Sequence, residues 1–189
     1  MGIKYFVNEE FFSNWGQEMA YVLGYIYADG SIYPSVRGSY FNVTSIDRST
    51  IFKIKKWLKS KHIIQKKKST WSNGKIQYVL KIGNKKVYQS LENLGLHPSK
   101  SLSIKFPKNI PEKYLSHFIR GYLDGDGCVY FEMAKGKTKK LIIKRLSTIF
   151  TGGSKIFLEN LNFILGRKLL LNQAKIYKGK RSFQLRYST

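Results

Sequence analysis

Two segments of this chain are nearly copies of each other. Gly24-Tyr25-Ile26-Tyr27-Ala28-Asp29-Gly30-Ser31-Ile32-Tyr33 recurs as Gly121-Tyr122-Leu123-Asp124-Gly125-Asp126-Gly127-Cys128-Val129-Tyr130. A repeat at such a spacing is one structural unit used twice. Each copy sets a glycine inside a helical pattern and an Asp-Gly at its end. A mid-helix glycine costs about 1 kcal/mol relative to alanine. Close helix-to-helix approach explains why Gly24 and Gly121 accept that cost at matching positions, since glycine has no side chain to hold two backbones apart. Packing the two motif helices would set their C-terminal ends side by side, with Asp29 and Asp126 facing each other across a pseudo-twofold axis. The other acidic position is not shared, because Asp124 is matched by Tyr27.

Charge narrows the chemistry. The chain has 34 Lys plus Arg against 11 Asp plus Glu, a net of +23 over 189 residues. Such a field favours a polyanion. The basic residues are interleaved with aromatics rather than confined to a tail, which points to nucleic acid. The length suits one compact domain or two small fused halves. The longest apolar run, Met19 to Ala28, is too short to span a bilayer, and Met1 to Glu10 carries no signal-peptide pattern. The expectation is an intracellular protein with no membrane role. A lone cysteine, Cys128, excludes an internal disulfide and a Cys-based zinc site. His62, His97 and His117 lack metal-ligand spacing and read as surface or helix-cap residues. Catalytic options reduce mostly to carboxylates and lysines.

Periodicity lays out the elements. Ser13-Asn14 is a plausible N-cap pair, with Glu18 placed to complete it, before a helix over about Trp15 to Tyr27. Candidate strands follow at Ser31 to Arg37 and Tyr40 to Ile46, joined at Gly38-Ser39. Ile51, Ile54, Trp57 and Leu58 mark one face of a helix over Ser49 to Lys61. Ile64 to Trp71 and Lys75 to Ile82 form a hairpin around Asn73-Gly74. A helix over Lys85 to Leu94 stops at Gly95. Pro107 to Pro111 reads as a linker. A helix from Tyr114 to Leu123 then restarts the pattern. Strands at Cys128 to Met133 and Leu141 to Phe150 flank a lysine-rich turn at Lys135 to Lys140. A helix over Ser154 to Leu165, with Ile156, Phe157, Leu161 and Ile164 apolar, ends at Gly166. Leu170 to Tyr177 and Ser182 to Tyr187 make the last hairpin. Each half reads αββαββ, an α+β class with helices on one face of antiparallel sheets. Only the first half shows a closing helix, so the second repeat is either naturally short or truncated. The expected division is a repeat at 1–106, a linker at 107–113 and a repeat at 114–189.

Strand alternation assigns the free sheet face. In the first repeat Ile32, Val36, Phe41 and Val43 fit the core. Tyr33, Ser35, Arg37, Tyr40, Asn42 and Thr44 then point away, and Lys66, Lys68, Lys75, Gln77 and Lys81 extend that face. The second-repeat equivalents are Tyr130, Glu132, Arg145, Ser147, Gln173, Lys175, Tyr177, Gln184 and Arg186. This mixture of forked polar groups and cations suits base readout in the DNA major groove, which admits a two-stranded ribbon. The runs Lys66-Lys67-Lys68, Lys85-Lys86 and Lys135 to Lys140 suit phosphates.

Two carboxylates held close repel each other. A divalent cation offsets this; Mg²⁺ takes few carboxylates and keeps phosphate and water as its other ligands. At this point Val22-Leu23-Gly24-Tyr25-Ile26-Tyr27-Ala28-Asp29-Gly30 and Ile119-Arg120-Gly121-Tyr122-Leu123-Asp124-Gly125-Asp126-Gly127 resemble the paired motifs of LAGLIDADG homing endonucleases that carry two motifs on one chain. Each copy departs from the family name in several letters but keeps the glycine, the penultimate aspartate and the final glycine. The resemblance implies a DNA endonuclease dependent on Mg²⁺ or Mn²⁺. It would cut both strands across the minor groove of a long, nearly asymmetric site, leaving short 3′ overhangs. The family's metal-binding acids fall on Asp29 and Asp126. Its active-centre lysine falls on Lys100, within Gly95-Leu96-His97-Pro98-Ser99-Lys100-Ser101, with no counterpart in the second repeat. The partner implied is double-stranded DNA. Two other readings stay open: an RNA maturase assisting intron splicing, and a non-cleaving DNA-binding regulator, which should have lost one motif acid. No splicing block with a nucleophilic Cys or Ser flanks the chain, which disfavours an intein-borne enzyme. The internal pseudo-twofold argues for a monomer.

Overall fold

The computed structural model describes residues 5–68, 74–135 and 141–188. The turn around Asn73 and the run at 136–140 therefore lie outside the described residues. By contacts the chain divides into two compact units: Met1–Lys100 with Pro107–Gly125, and Ser101–Phe106 with Asp126–Thr189. Both contain an antiparallel four-stranded sheet, as expected for an α+β chain. Among the described residues no helix is long and apolar enough to cross a membrane.

The first unit runs α1 (Gln17–Asp29), β1 (Gly30–Ser35), β2 (Gly38–Ser45), α2 (Arg48–Trp57), β3 (Ile64–Lys68), β4 (Ile76–Gly83), α3 (Lys85–Asn93) and a short 3₁₀ turn at Lys100–Leu102, which closes in the second unit. Helix α4 (Glu112–Asp126) returns to the first unit through Gly125. The sheet order is β1-β2-β4-β3. Ile32, Phe41 and Ile82 are paired across it, as are Gly30, Val43, Leu80 and Ile64. Ile32, Phe41, Val43, Leu80 and Ile82 are buried under the helices, with Ile51, Ile54, Val87 and Leu91. Removing this much apolar surface from water is the main stabilising term.

Local chemistry places the boundaries. Asp47 caps α2 by accepting from the Ser49 N–H, and its carboxyl is held below the usual carboxylate range by the Thr50 and Ser49 hydroxyls. Asn84 caps α3 by accepting from the Val87 N–H at 3.0 Å. Helix α1 differs from expectation. It begins after Gly16 with no side-chain cap, so Ser13, Asn14 and Glu18 do not form the capping arrangement. The first hairpin turns at Val36-Arg37, not at Gly38-Ser39. Gly38 instead supplies the positive φ of 136° that closes the turn. Val36 is consequently fully exposed rather than core. Pro34, which has no N–H to give a ladder, sits on the edge strand β1.

His62 is a second departure. It is 8% exposed, not a surface residue. Its backbone N–H donates to Ser60 Oγ at 3.1 Å, and that hydroxyl lies 3.0 Å from Nδ1. Tyr5 packs on the ring at 5.4 Å between centroids. Burial first, then the Lys55 charge, push the imidazole below its ordinary value. The folded protein thus prefers the neutral ring. The unfolded chain takes up a proton below about pH 6.5, so this contribution is full above that pH and is lost as pH falls toward the depressed folded value. Thermal melts of wild type and His62→Gln at pH 7.5 and 5.5 check this. Wild type should lose more stability on acidification than the variant.

The second unit runs β5 (Gly127–Lys135), β6 (Leu141–Gly152), α5 (Lys155–Leu169), β7 (Ile176–Lys178) and β8 (Phe183–Ser188), in sheet order β5-β6-β8-β7. The register between β5 and β6 shifts after Glu132, where Arg145 pairs with Glu132 and Ile143 with Met133. Lys144 is the extra residue of a bulge. Helix α5 is capped by Ser154, whose hydroxyl accepts from Phe157 N–H, and packs on the sheet through Phe157, Leu158 and Leu161. It continues through Gly166 and ends at Leu170 in a left-handed conformation, φ 52°. Ile156 is exposed, not part of the apolar face.

The two sheets are unequally covered. Ile32 is 1% exposed, whereas Val129, its repeat equivalent, is 52% exposed. On the same side of the second sheet Phe131, Met133 and Ile143 are also exposed. In the first unit α3 follows β4 and contacts β2. Among the described residues no helix follows β8. Ile32→Ala should therefore cost about 3 kcal/mol through lost burial and a cavity, and Val129→Ala about 0.5 kcal/mol or less, as for an exposed site. Chemical denaturation of both variants checks the contrast.

Candidate nucleic-acid interface and the acidic helix ends

Helices α1 and α4 pack backbone to backbone in the first unit. A Cβ built on Gly24 would lie 2.0 Å from the Phe118 carbonyl oxygen and 3.0 Å from Tyr122 N. A Cβ on Gly121 would lie 2.0 Å from the Tyr21 carbonyl oxygen and 3.0 Å from Tyr25 N. The two glycines thus make the same contact in exchange, since Tyr21 and Tyr25 stand where Phe118 and Tyr122 stand in the repeat. One turn further on, a Cβ on Gly125 would come within 2.5 Å of Ala28 Cβ. Only glycine at these points lets the helices approach so closely.

Both helices end on aspartate, α1 at Asp29 and α4 at Asp126, with no basic residue in either last turn. This is the unfavourable end for a carboxylate, because the helix carbonyls already carry partial negative charge there. Lys100 answers it in the first unit. The side chain is buried, and Nζ donates to the carbonyl oxygens of Tyr27 at 2.6 Å and Ala28 at 3.1 Å. An ammonium is thereby fixed on the last turn of α1, one residue from Asp29. Tyr27 is tied down beside it, donating to Leu94 O at 2.6 Å and packing edge-on to Phe118 at 5.2 Å.

The position that Tyr27 occupies in α1 is Asp124 in α4. Asp124 is exposed and accepts a 2.7 Å hydrogen bond from Tyr21, with Arg120 beside it at 4.0 Å. Burial and then this carboxylate push the Tyr21 phenol well above its ordinary value. Asp124 is thus engaged in joining α4 to α1. The sequence signal for that role was weak, because nothing near Tyr21 marks it as a partner.

Side chains on the helix-free face of each sheet follow from the register, since paired residues share a face. In the first sheet these are Ser31, Tyr33 and Ser35; Tyr40, Asn42 and Thr44; Gln77, Val79 and Lys81; and Gln65 and Lys67. Lys75 precedes β4, and Arg37 lies in the turn. Lys66 and Lys68 are on the other face, with Tyr78 and Ile76. Assigning them to the free face was a one-residue register error, which inverts a whole strand; Gln65 and Lys67 take their place. Tyr33 and Tyr40 stack at 5.7 Å, and Lys81 Nζ lies 4.3 Å from the Tyr40 ring centroid.

In the second sheet the same face carries Tyr130, Glu132, Arg145, Ser147, Gln184, Arg186 and Tyr177. Glu132 lies 3.2 Å from Lys144 Nζ and 3.9 Å from Arg145 Nη1. Ser147 is buried and 2.7 Å from the Ser188 hydroxyl. Gln173 and Lys175 fall in the segment before β7 rather than in a strand. Strand alternation therefore cannot place them.

Two antiparallel sheets with one free face each, following paired Gly-to-Asp helices, define a class. Residues 16–95 match the family model of the LAGLIDADG-like domain. The chain as a whole has the fold of the LAGLIDADG homing endonucleases. It is similar to the homing endonuclease I-WcaI bound to its DNA recognition sequence, with 16% identity, TM-score 0.66, and coverage of 94% of this chain and 80% of that one. It is similar to I-LtrWI bound to target DNA, with 13% identity, TM-score 0.60, and coverage of 96% and 80%. It is also similar to I-SmaMI bound to an uncleaved DNA target in the presence of calcium ions, with 14% identity, TM-score 0.56, and coverage of 93% and 80%. A comparison with curated proteins finds no match in sequence.

Proposed function

We propose that this protein is a site-specific double-stranded DNA endonuclease that hydrolyses phosphodiesters with a divalent cation. The observation that carries this reading is the pair of interlocked helices ending on Asp29 and Asp126, each carboxylate at the end of a helix that disfavours it. Natural chains accept such local costs where chemistry requires them. Hard carboxylate oxygens suit Mg²⁺ or Mn²⁺, so Asp29 and Asp126 are the residues that would hold it. When bound, it supplies charge stabilisation at the phosphorus and an acidified water. Lys100 offers a fixed ammonium for developing negative charge. Lys100→Met should slow turnover by more than it weakens DNA binding, which single-turnover assays beside binding titrations would show.

The free faces of the two sheets would read the two halves of a long, nearly asymmetric site from the major groove, the repeats 1–106 and 114–189 taking one half each. Cleavage would cross the minor groove and leave short 3′ overhangs. The chain would act inside the cell, as a monomer, in intron homing. The groove lined by Arg37, Tyr40, Asn84 and Lys85 is suited to the phosphate backbone beyond the first hairpin. The test is incubation of the protein and Mg²⁺ with a randomised duplex library, with the ends sequenced. Cuts at one long site with 3′ overhangs support the reading. Salt-sensitive duplex binding without cuts would replace it with a DNA-binding regulator, and preference for structured intron RNA with a maturase.

A further inference from the structure

Arg186 stands at the position in β8 that Lys81 occupies in β4, yet the two cations are held differently. Lys81 rests over the stacked rings of Tyr33 and Tyr40. Arg186 is held by hydrogen bonds: Nε donates to Gln184 Oε1 at 3.1 Å and Nη2 to the same oxygen at 2.5 Å. Its guanidinium also lies 5.3 Å from the Tyr177 ring centroid. Lys175 Nζ lies 5.5 Å from that ring, so two cations share one aromatic. Gln184, Arg186 and Tyr177 are on the free face of the second sheet, where Gln184 pairs with Tyr177 and Arg186 follows two residues on; Lys175 reaches the same ring from the segment before β7.

We propose that Arg186 is a guanine-reading side chain, and that Lys175 grips the adjoining phosphate. The inference rests on the DNA-binding reading above. Gln184 takes the Nε–Nη2 edge of the guanidinium, which leaves the Nη1–Nη2 edge of this exposed side chain as a two-donor fork. Guanine presents two acceptors, O6 and N7, at matching spacing in the major groove, and no other base edge there offers two adjacent acceptors. Gln184 and Tyr177 fix the fork before binding, so less side-chain freedom is lost when the base is met. An ammonium on paired tyrosines has no fork and offers a point charge. The repeat equivalence thus yields different base preferences in the two half-sites, as an asymmetric target requires.

The test is selection of the full chain and its variants on a randomised duplex library without metal, followed by binding titrations. Wild type should select an invariant guanine at one position of one half-site. Arg186→Ala should lose preference at that position only, narrowing the guanine advantage by about 5- to 150-fold. Gln184→Ala should blunt the same position while keeping overall binding. Lys175→Ala should weaken all sequences alike and lower the salt dependence by about one phosphate contact. If Arg186→Ala selects the same bases at every position, the inference is overturned while the DNA-binding reading stands. If wild type selects no duplex sequence, both fall together.

Discussion

Gly24→Ala and Gly121→Ala should each destabilise the first unit by about 3 kcal/mol, the upper part of the range for overpacking. Alanine is otherwise the better helix former by about 1 kcal/mol, so the sign of the effect reports packing alone. The added methyl would sit 2.0 Å from a backbone carbonyl oxygen in each case. A backbone atom in the neighbouring helix cannot rotate away as a side chain can. The two helices must separate, and both reciprocal contacts open together. The double variant should therefore cost less than the two single costs added, as for sites sharing one contact. Denaturant melts of the singles and the double measure this. Unchanged midpoints would mean that the helices do not bear on each other through these glycines.

Asp29→Asn and Asp126→Asn should each reduce cleavage by about 10³-fold or more, the loss of several kcal/mol of metal-derived stabilisation. Binding to duplex should persist, because the sheet faces are untouched. Stability should hold or rise slightly, by about 0.3–1 kcal/mol, since each change removes a negative charge from the C-terminal end of a helix. Wild-type cleavage by either variant would refute the assignment. Loss of folding in step with loss of cleavage would make the carboxylates structural. Combining activity, binding and melting data on the same samples separates these outcomes, and the expected pattern is a site held at some cost to the scaffold.

Much of the architecture was legible in the repeat. The order of helices and strands, the antiparallel hairpins and the buried Ile32, Phe41 and Val43 follow from periodicity, because burial of one face imposes a period of 3.6 or 2 on any amphipathic element. Boundaries were less legible. Val36 looked like one more inward strand residue, but Gly38 alone has the freedom to close the hairpin, and this moved the turn onto Val36-Arg37. Lys66 and Lys68 were put on the wrong face because the pairing of β3 with β4 depends on a partner strand, not on the lysines themselves. The segment 171–175 reads as strand by composition, yet only Ile176–Lys178 found a ladder.

Spacing and charge along the chain already say that one unit is used twice, that each copy ends a helix on Asp-Gly, and that the protein carries a strong positive field. Spacing and charge are local properties, readable without a partner. Packing is needed to show that Gly24 meets Phe118 as Gly121 meets Tyr21, that Lys100 closes the last turn of α1, that His62 is buried, and that Gln184 and Tyr177 hold Arg186. Each depends on which backbone comes within a few ångströms of another. That is settled by the packing of whole elements, after the local pattern has said only what those elements are.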